Sequence, residues 1–194
     1  MMKVLAFLPM LLASCVDLKG APAAERHFYA LSAERPGPSK EGGAGVLKIR
    51  RFQISRAYEG VEFVYRATES LYESDFYHAF FTPPASQVTE AARKWMSTSG
   101  LFAHVIDAAS VAPETHLLEG HVAALYADLR AKPLAVVELQ LTLLTSAGEI
   151  RLHRSRKREV EAASSEPDAL IAAWGRGIAE ILAAAEIELA TCIR

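Results

Sequence analysis

Chemistry in this chain could come from two cysteines, six histidines and one run of arginines. Cys15 offers the most. It closes Leu12-Ala13-Ser14-Cys15: an aliphatic residue, two small residues, then a thiol. Small residues let a protease close on the backbone, and the cysteine sulfur is the nucleophile that takes a diacylglyceryl group. The tetrad has the residue types and spacing of the bacterial lipobox. Ahead of it, Met1-Met2-Lys3 supplies one positive charge and residues 4–12 a short apolar run. That run is far shorter than the ~20 residues of a membrane-spanning helix. The pattern predicts a signal peptide over residues 1–14, cut before Cys15, and a chain held to a membrane by lipid on that cysteine. Two or more acyl chains make such an anchor stable. Val16 follows the cysteine where aspartate would favour inner-membrane retention. This points to the periplasmic side of the envelope, with the outer membrane favoured over the inner.

The remaining candidates carry less. Cys192 belongs to no metal-ligand pattern and reads as a lone thiol near a frayed terminus. His116 and His121 bracket Glu119, but strand positions five apart face opposite ways, so they cannot share a metal. His104 and Asp107 are separated in the same way. No nucleophile elbow, P-loop or dinucleotide fingerprint occurs, and Gly42-Gly43-Ala44-Gly45 precedes a strand and lacks the lysine of a phosphate loop. The expectation is a protein with no enzymatic activity, no cofactor and no metal. A net charge of −2 gives no electrostatic argument for nucleic acid.

Two local anomalies could make contacts. Arg151, His153, Arg154, Arg156, Lys157 and Arg158 form a basic run. As a strand it is either an edge guarded against aggregation or a docking surface in which Arg154, Arg156 and Arg158 meet anionic head groups or an acidic partner. Phe63, Tyr65, Tyr72, Phe76, Tyr77, Phe80 and Phe81 crowd one stretch. They divide between core packing and an exposed patch for a partner or an acyl chain.

The elements that position these residues follow from periodicity. Residues 16–26 read as a tether, which would let the domain stand off the bilayer, and 34–45 as a second flexible stretch. Strands are expected over 27–31, 46–55 (with a bulge near Arg51), 61–67, within 70–80, and over 101–106, 115–129, 134–145 and 149–161. In 115–129, Leu118, Gly120, Val122, Ala124 and Tyr126 should share one face. Thr82-Pro83-Pro84 opens a helix that buries Val88, Ala91, Ala92, Trp95 and Ser99 and stops at Gly100. A second helix, capped by Ser165 or Asp168, carries the stripe Leu170, Trp174, Ile178, Ile181, Leu182, Ala185 and Leu189. The order predicts one α+β domain over 27–194: a largely antiparallel sheet with two main helices packed on one face.

With these pieces in place, the chain resembles the ABC-type transport auxiliary lipoproteins, the type that includes the lipoprotein of the paraquat-inducible locus. The resemblance rests on the lipobox cysteine, Phe28-Tyr29-Ala30-Leu31, Leu47-Lys48-Ile49-Arg50-Arg51-Phe52, Phe63-Val64-Tyr65-Arg66, and Tyr77-His78-Ala79-Phe80-Phe81-Thr82-Pro83-Pro84. The family's usual tryptophan in the last segment is Phe80 or Phe81 here. The resemblance implies a membrane-anchored, periplasmic auxiliary component of a transporter for phospholipid or other hydrophobic molecules. Its partners would be a mammalian-cell-entry-domain protein, a permease and an ATPase, with several copies forming a homo-oligomer. Tyr65, Arg66, Tyr77 and Phe80 match motif positions and are candidate contacts. The alternative is an envelope-assembly or secretion-related lipoprotein unrelated to such a transporter.

Overall fold

The computed structural model describes residues 25–193. The expected signal peptide, Cys15 and most of the tether lie outside the described residues. The elements run β1 (His27–Tyr29), β2 (Val46–Ile49), β3 (Gln53–Ile54), β4 (Glu62–Arg66), β5 (Tyr72–Phe80) and α1 (Pro84–Ser99). They continue as β6 (His104–Asp107), β7 (His116–Asp128), β8 (Leu134–Thr145), β9 (Ile150–Glu161) and α2 (Pro167–Cys192). This is the α+β architecture that the order of elements predicts.

The cleanest alternation organises the rest. In β8, Val137, Leu139, Leu141 and Leu143 are buried, while Glu138, Gln140 and Thr142 take the other face. β8 pairs antiparallel with β7 on one side and β9 on the other, and Gly148, at φ 84°, turns the chain between β8 and β9. These two long ladders make the sheet largely antiparallel by paired residues. The short strands behave differently. β2, β3 and β4 follow one another along the free edge of β7, all parallel to it. β6 lies outside β2, while β5 and then β1 lie outside β4. Parallel neighbours need a crossover, and between β2 and β6 it is a long one that carries β3, β4, β5 and finally α1.

Both helices cover one face of the sheet. Every residue of the two predicted helical stripes is buried. Trp174 sits in the centre of the core against Phe63 and Phe80, and its indole N–H donates to the Tyr126 carbonyl at 3.1 Å. α1 ends as expected at Gly100, in the left-handed conformation at φ 73°. α2 starts differently: its cap is Glu166, not Ser165 or Asp168, and no side chain caps it. Pro167 at the first helical position presets the backbone, and Asp168 in the first turn meets the positive end of the helix dipole.

Four further expectations need correction. The bulge near Arg51 is strong enough to split the 46–55 strand. From Ile49 to Gln53 the chain advances four residues while β7 advances three, Leu118 to His121. The freed Phe52 amide donates to Thr89 Oγ1 on α1 at 2.9 Å, and the Phe52 ring lies on Gly120, where a β-carbon would come within 2.5 Å of it. β7 has a second irregularity between Val122 and Ala124. It reverses the faces: Leu118 and Val122 point to the helices, but Leu125 and Ala127 continue that face, and Ala124 and Tyr126 turn to the opposite side against Tyr58 and Val136. The 34–45 stretch carries no regular element, yet it is pinned. Arg35 grips Glu186 of α2 with two bonds of 2.8 Å, and the Trp95 indole N–H of α1 donates to the same carboxylate at 2.9 Å. Nor is the C-terminus frayed at Cys192: α2 runs through it, and Arg151 donates to its carbonyl at 3.3 Å.

Candidate functional site

The aromatic stretch is divided by the fold between core and surface. Phe63 and Phe80 pack in the core with ring centroids 4.7 Å apart. Phe76, Tyr77 and Phe81 are turned outward at 62%, 51% and 70% exposure, and Phe28 of β1 joins them at 55%. Among the described residues, six of the nine large hydrophobic ones that remain exposed lie at Phe28 or between Leu71 and Phe81. Isolated exposed apolar residues need no explanation, but this concentration on one edge of the sheet does.

The protrusion is built by a carboxylate. Between the pairs Val64–Ser74 and Glu62–Ala79, β4 covers two residues while β5 covers five. The excess loops out as Asp75-Phe76-Tyr77-His78. Asp75 turns inward and ties the loop together. Its Oδ1 accepts the backbone amides of Tyr77 (2.7 Å) and His78 (3.1 Å). Its Oδ2 accepts the Tyr65 hydroxyl (2.7 Å) and His78 Nδ1 (2.7 Å). An ionised carboxylate only accepts, so Nδ1 of His78 carries the proton. Burial alone would raise the Asp75 pKa, but the bonds from Tyr65, His78 and the two amides outweigh it and hold the carboxyl below its ordinary range. The Tyr65 phenol moves the other way, upward, through burial first and its bond to Asp75 second, so it stays a neutral donor. No non-glycine residue among the described residues has a positive φ, so the loop is made by side-chain bonding without backbone strain.

The chain enters the domain at this edge. Arg26 lies over the Phe28 ring at 5.7 Å and the Phe76 ring at 5.8 Å, and its guanidinium reaches Glu62 of β4 at 2.7 Å. β1 pairs with β5 in parallel from His27–His78 to Tyr29–Phe80, and the Phe81 amide donates to the Tyr29 carbonyl at 2.7 Å. One cation therefore joins the entering strand, the protruding loop and the neighbouring strand.

The residues expected to make contacts are distributed unevenly. Tyr77 lies on the exposed edge. Phe80 is a correction: at 3% exposure it belongs to the core, and its neighbour Phe81 takes the outward position, because alternation sends consecutive strand residues to opposite faces. Tyr65 points at Asp75. Arg66 pairs with Glu69 at 2.8 Å, lies 3.8 Å from Asp128 and covers the Tyr72 ring. Phe28, Arg26 and Asp75 were missed as site residues. The signal in the sequence was an aspartate between aromatic residues, where a plain strand has no use for it.

The basic strand is an edge, since β9 pairs only with β8. Arg156 binds Glu188 at 2.5 Å and Arg158 binds Glu180 at 3.1 Å, both on α2. Lys157 pairs with Glu159 at 2.6 Å. Arg154 reaches the His153 carbonyl at 3.0 Å and no carboxylate among the described residues. His116 and His121 do diverge: His116 meets the Phe102 ring, while His121 Nε2 lies 3.3 Å from Ser55 Oγ on the open face. A polar hollow of about 290 Å³ there holds His121, His153 and Arg50, and Arg50 is already paired with Glu119 at 2.6 Å.

No family model matches the chain, and no curated protein matches it. Solved structures do. A Xanthomonas campestris protein assigned to the DUF330 family superposes with a TM-score of 0.73 at 18% identity, over 86% of this chain and 95% of that one. An uncharacterized protein superposes at 0.63 and 13% identity, over 83% and 99%. A hypothetical protein of Chlamydia trachomatis superposes at 0.53 and 10% identity, over 76% and 98%. At these identities the likeness is one of fold.

Proposed function

We propose that this chain is a lipid-anchored auxiliary component of an ABC-type transporter in the bacterial envelope, one that moves phospholipid or other hydrophobic molecules. The lipid sits on Cys15, and the α+β domain works on the periplasmic side, the outer membrane being favoured. It docks rather than catalyses. ATP is hydrolysed by a cytoplasmic partner, and the domain contacts a mammalian-cell-entry-domain protein and its permease, as one of several copies. The observation that carries this reading is the aromatic edge. The residues at and just before the start of the segment that resembles the family's motif, Asp75 to His78, fold into a tied, outward-facing protrusion, with Asp75 beneath and Phe76 and Tyr77 outside. A structure of that kind presents surface. No helix among the described residues is long and apolar enough to cross a membrane, so attachment in this reading falls to the lipid.

The test is an affinity pull-down from detergent-solubilised envelope, with wild type and Cys15→Ala in parallel. Wild type should fractionate with membranes and recover a mammalian-cell-entry-domain protein with its permease and ATPase, while Cys15→Ala appears in the soluble periplasmic fraction. Recovery of wild type in membranes without transporter subunits would leave the anchor standing and remove the transport role.

A further inference from the structure

We infer that the aromatic edge seats the domain directly on the bilayer that holds its lipid anchor, with Phe28, Phe76, Tyr77 and Phe81 in the head-group region. The inference rests on the lipidated Cys15 of the reading above and specifies what the edge touches.

The anchor and the edge are joined by little chain. Eleven residues, 16–26, separate Cys15 from the start of β1. Whatever their path, they span at most roughly 35–40 Å when fully extended. They do not emerge from an arbitrary point on the domain. Arg26, the last of them, is held between the rings of Phe28 and Phe76 and bonded to Glu62. The edge is therefore the part of the domain nearest the lipid, and the tether cannot present another face without drawing the chain around the molecule. A sequence reading in which the tether only holds the domain away from the membrane leaves this arrangement unexplained.

The chemistry of the edge suits an interface. Aromatic rings, tyrosine above all, concentrate at the boundary between hydrocarbon and water, where an apolar body and a polar tip are both satisfied. Arginine can keep its head among phosphates while its stem lies along apolar surface. Here two phenylalanine rings, Phe28 and Phe76, hold one arginine, and Tyr77 and Phe81 are exposed on the neighbouring strand and just after it. The carboxylates nearest the rings are bonded within the protein: Asp75 accepts four hydrogen bonds and Glu62 is paired with Arg26, while Glu73 at the start of β5 is exposed. Contact of this sort is driven by apolar burial, so it should depend little on salt or on the fraction of anionic lipid. The arginine-rich strand is not the membrane-facing surface in this arrangement, since Arg156 and Arg158 are spent on α2.

The experiment uses the full lipidated protein in phosphatidylcholine vesicles, with single tryptophan probes. Trp95 and Trp174 are buried and give a constant background. Phe76→Trp and Phe81→Trp report on the edge. Ile150→Trp, exposed and paired with Leu144 near the start of β7, reports on the far end of the sheet. Brominated phosphatidylcholine should quench the two edge probes at least twofold more than the Ile150→Trp probe and shift their emission to the blue. The contrast should survive 0.5 M salt. Equal, weak quenching of all three probes on vesicles that still sediment with the protein overturns the seating and leaves the anchor intact. A blue-shifted but unquenched Phe76→Trp means that protein covers the edge, and also overturns it. If mass spectrometry finds Cys15 without lipid and the protein stays off vesicles, both the anchor and the seating fall.

Discussion

Two edges of the sheet, β9 and the β1–β5 pair, present opposite cases. β9 carries the most conspicuous charges in the chain, yet Arg156, Lys157 and Arg158 all have carboxylate partners, two of them on α2. The β1–β5 edge carries no run of charge, yet its aromatic rings are open to solvent while Asp75 beneath them accepts four hydrogen bonds. Charge that looks available in a sequence can be consumed by a neighbouring element, and apolar surface that looks like core can be left over. What remains unsatisfied after folding, not what stands out in composition, marks a surface for partners.

That contrast can be broken most forcefully at two adjacent residues. Phe80→Ala should cost about 3–5 kcal/mol by chemical denaturation, because it empties a space against Phe63 and Trp174, whereas Phe81→Ala should stay within about 0.5 kcal/mol. Similar costs at both positions would mean that the division between core and edge is drawn wrongly.

The next largest effect belongs to the tie beneath the edge. Asp75→Ala strands the Tyr65 hydroxyl, the His78 ring and two amides, and should lose about 2–3 kcal/mol. Asp75→Asn, which keeps an acceptor, should lose less. Acid sharpens the point. The folded pKa of Asp75 is lowered, so its contribution is complete above the unfolded value of about 3.9 and is lost as pH falls through the lower folded one. Wild type should therefore outlast Asp75→Asn at pH 6, and the difference should shrink steadily below about pH 4 in a denaturation series. A gap that is independent of pH would show that the carboxylate's charge is not what holds the loop.

The smallest effects are expected at the opposite edge. A double-mutant cycle between Arg158 and Glu180 should return about 0.2–1 kcal/mol, as solvent-facing ion pairs do. Arg154→Gln, which has no carboxylate to lose, should be near neutral in stability. A coupling above about 2 kcal/mol at Arg158 would make β9 a structural strut, beyond a guarded edge.

Much of the architecture was legible because it depends on local period. The alternation of Val137, Leu139, Leu141 and Leu143 and the stripe from Leu170 to Leu189 require one buried face each, and each is buried as patterned. The reversal within β7 was not legible. Leu118 through Tyr126 alternate smoothly in sequence, and only the pairing with β8 introduces the irregularity that sends Tyr126 to the other side. The parallel pairing of β2, β3 and β4 was equally hidden, since a short strand carries no mark of its neighbour's direction. In the candidate site, Tyr77 was visible as a motif residue. The role of Asp75 was not, because it depends on Tyr65 lying ten residues away on the adjacent strand.

The sequence by itself determined the α+β class, the two helical stripes, the β8–β9 hairpin and the lipobox pattern at Cys15, because each is set by residues close together along the chain. Only the tertiary structure decided which aromatic rings are core and which are surface, and that Arg156 and Arg158 are spent on α2. It also decided that the chain enters the domain through its aromatic edge. Those outcomes depend on which distant segments meet, and burial and charge pairing are properties of the meeting, not of either segment alone.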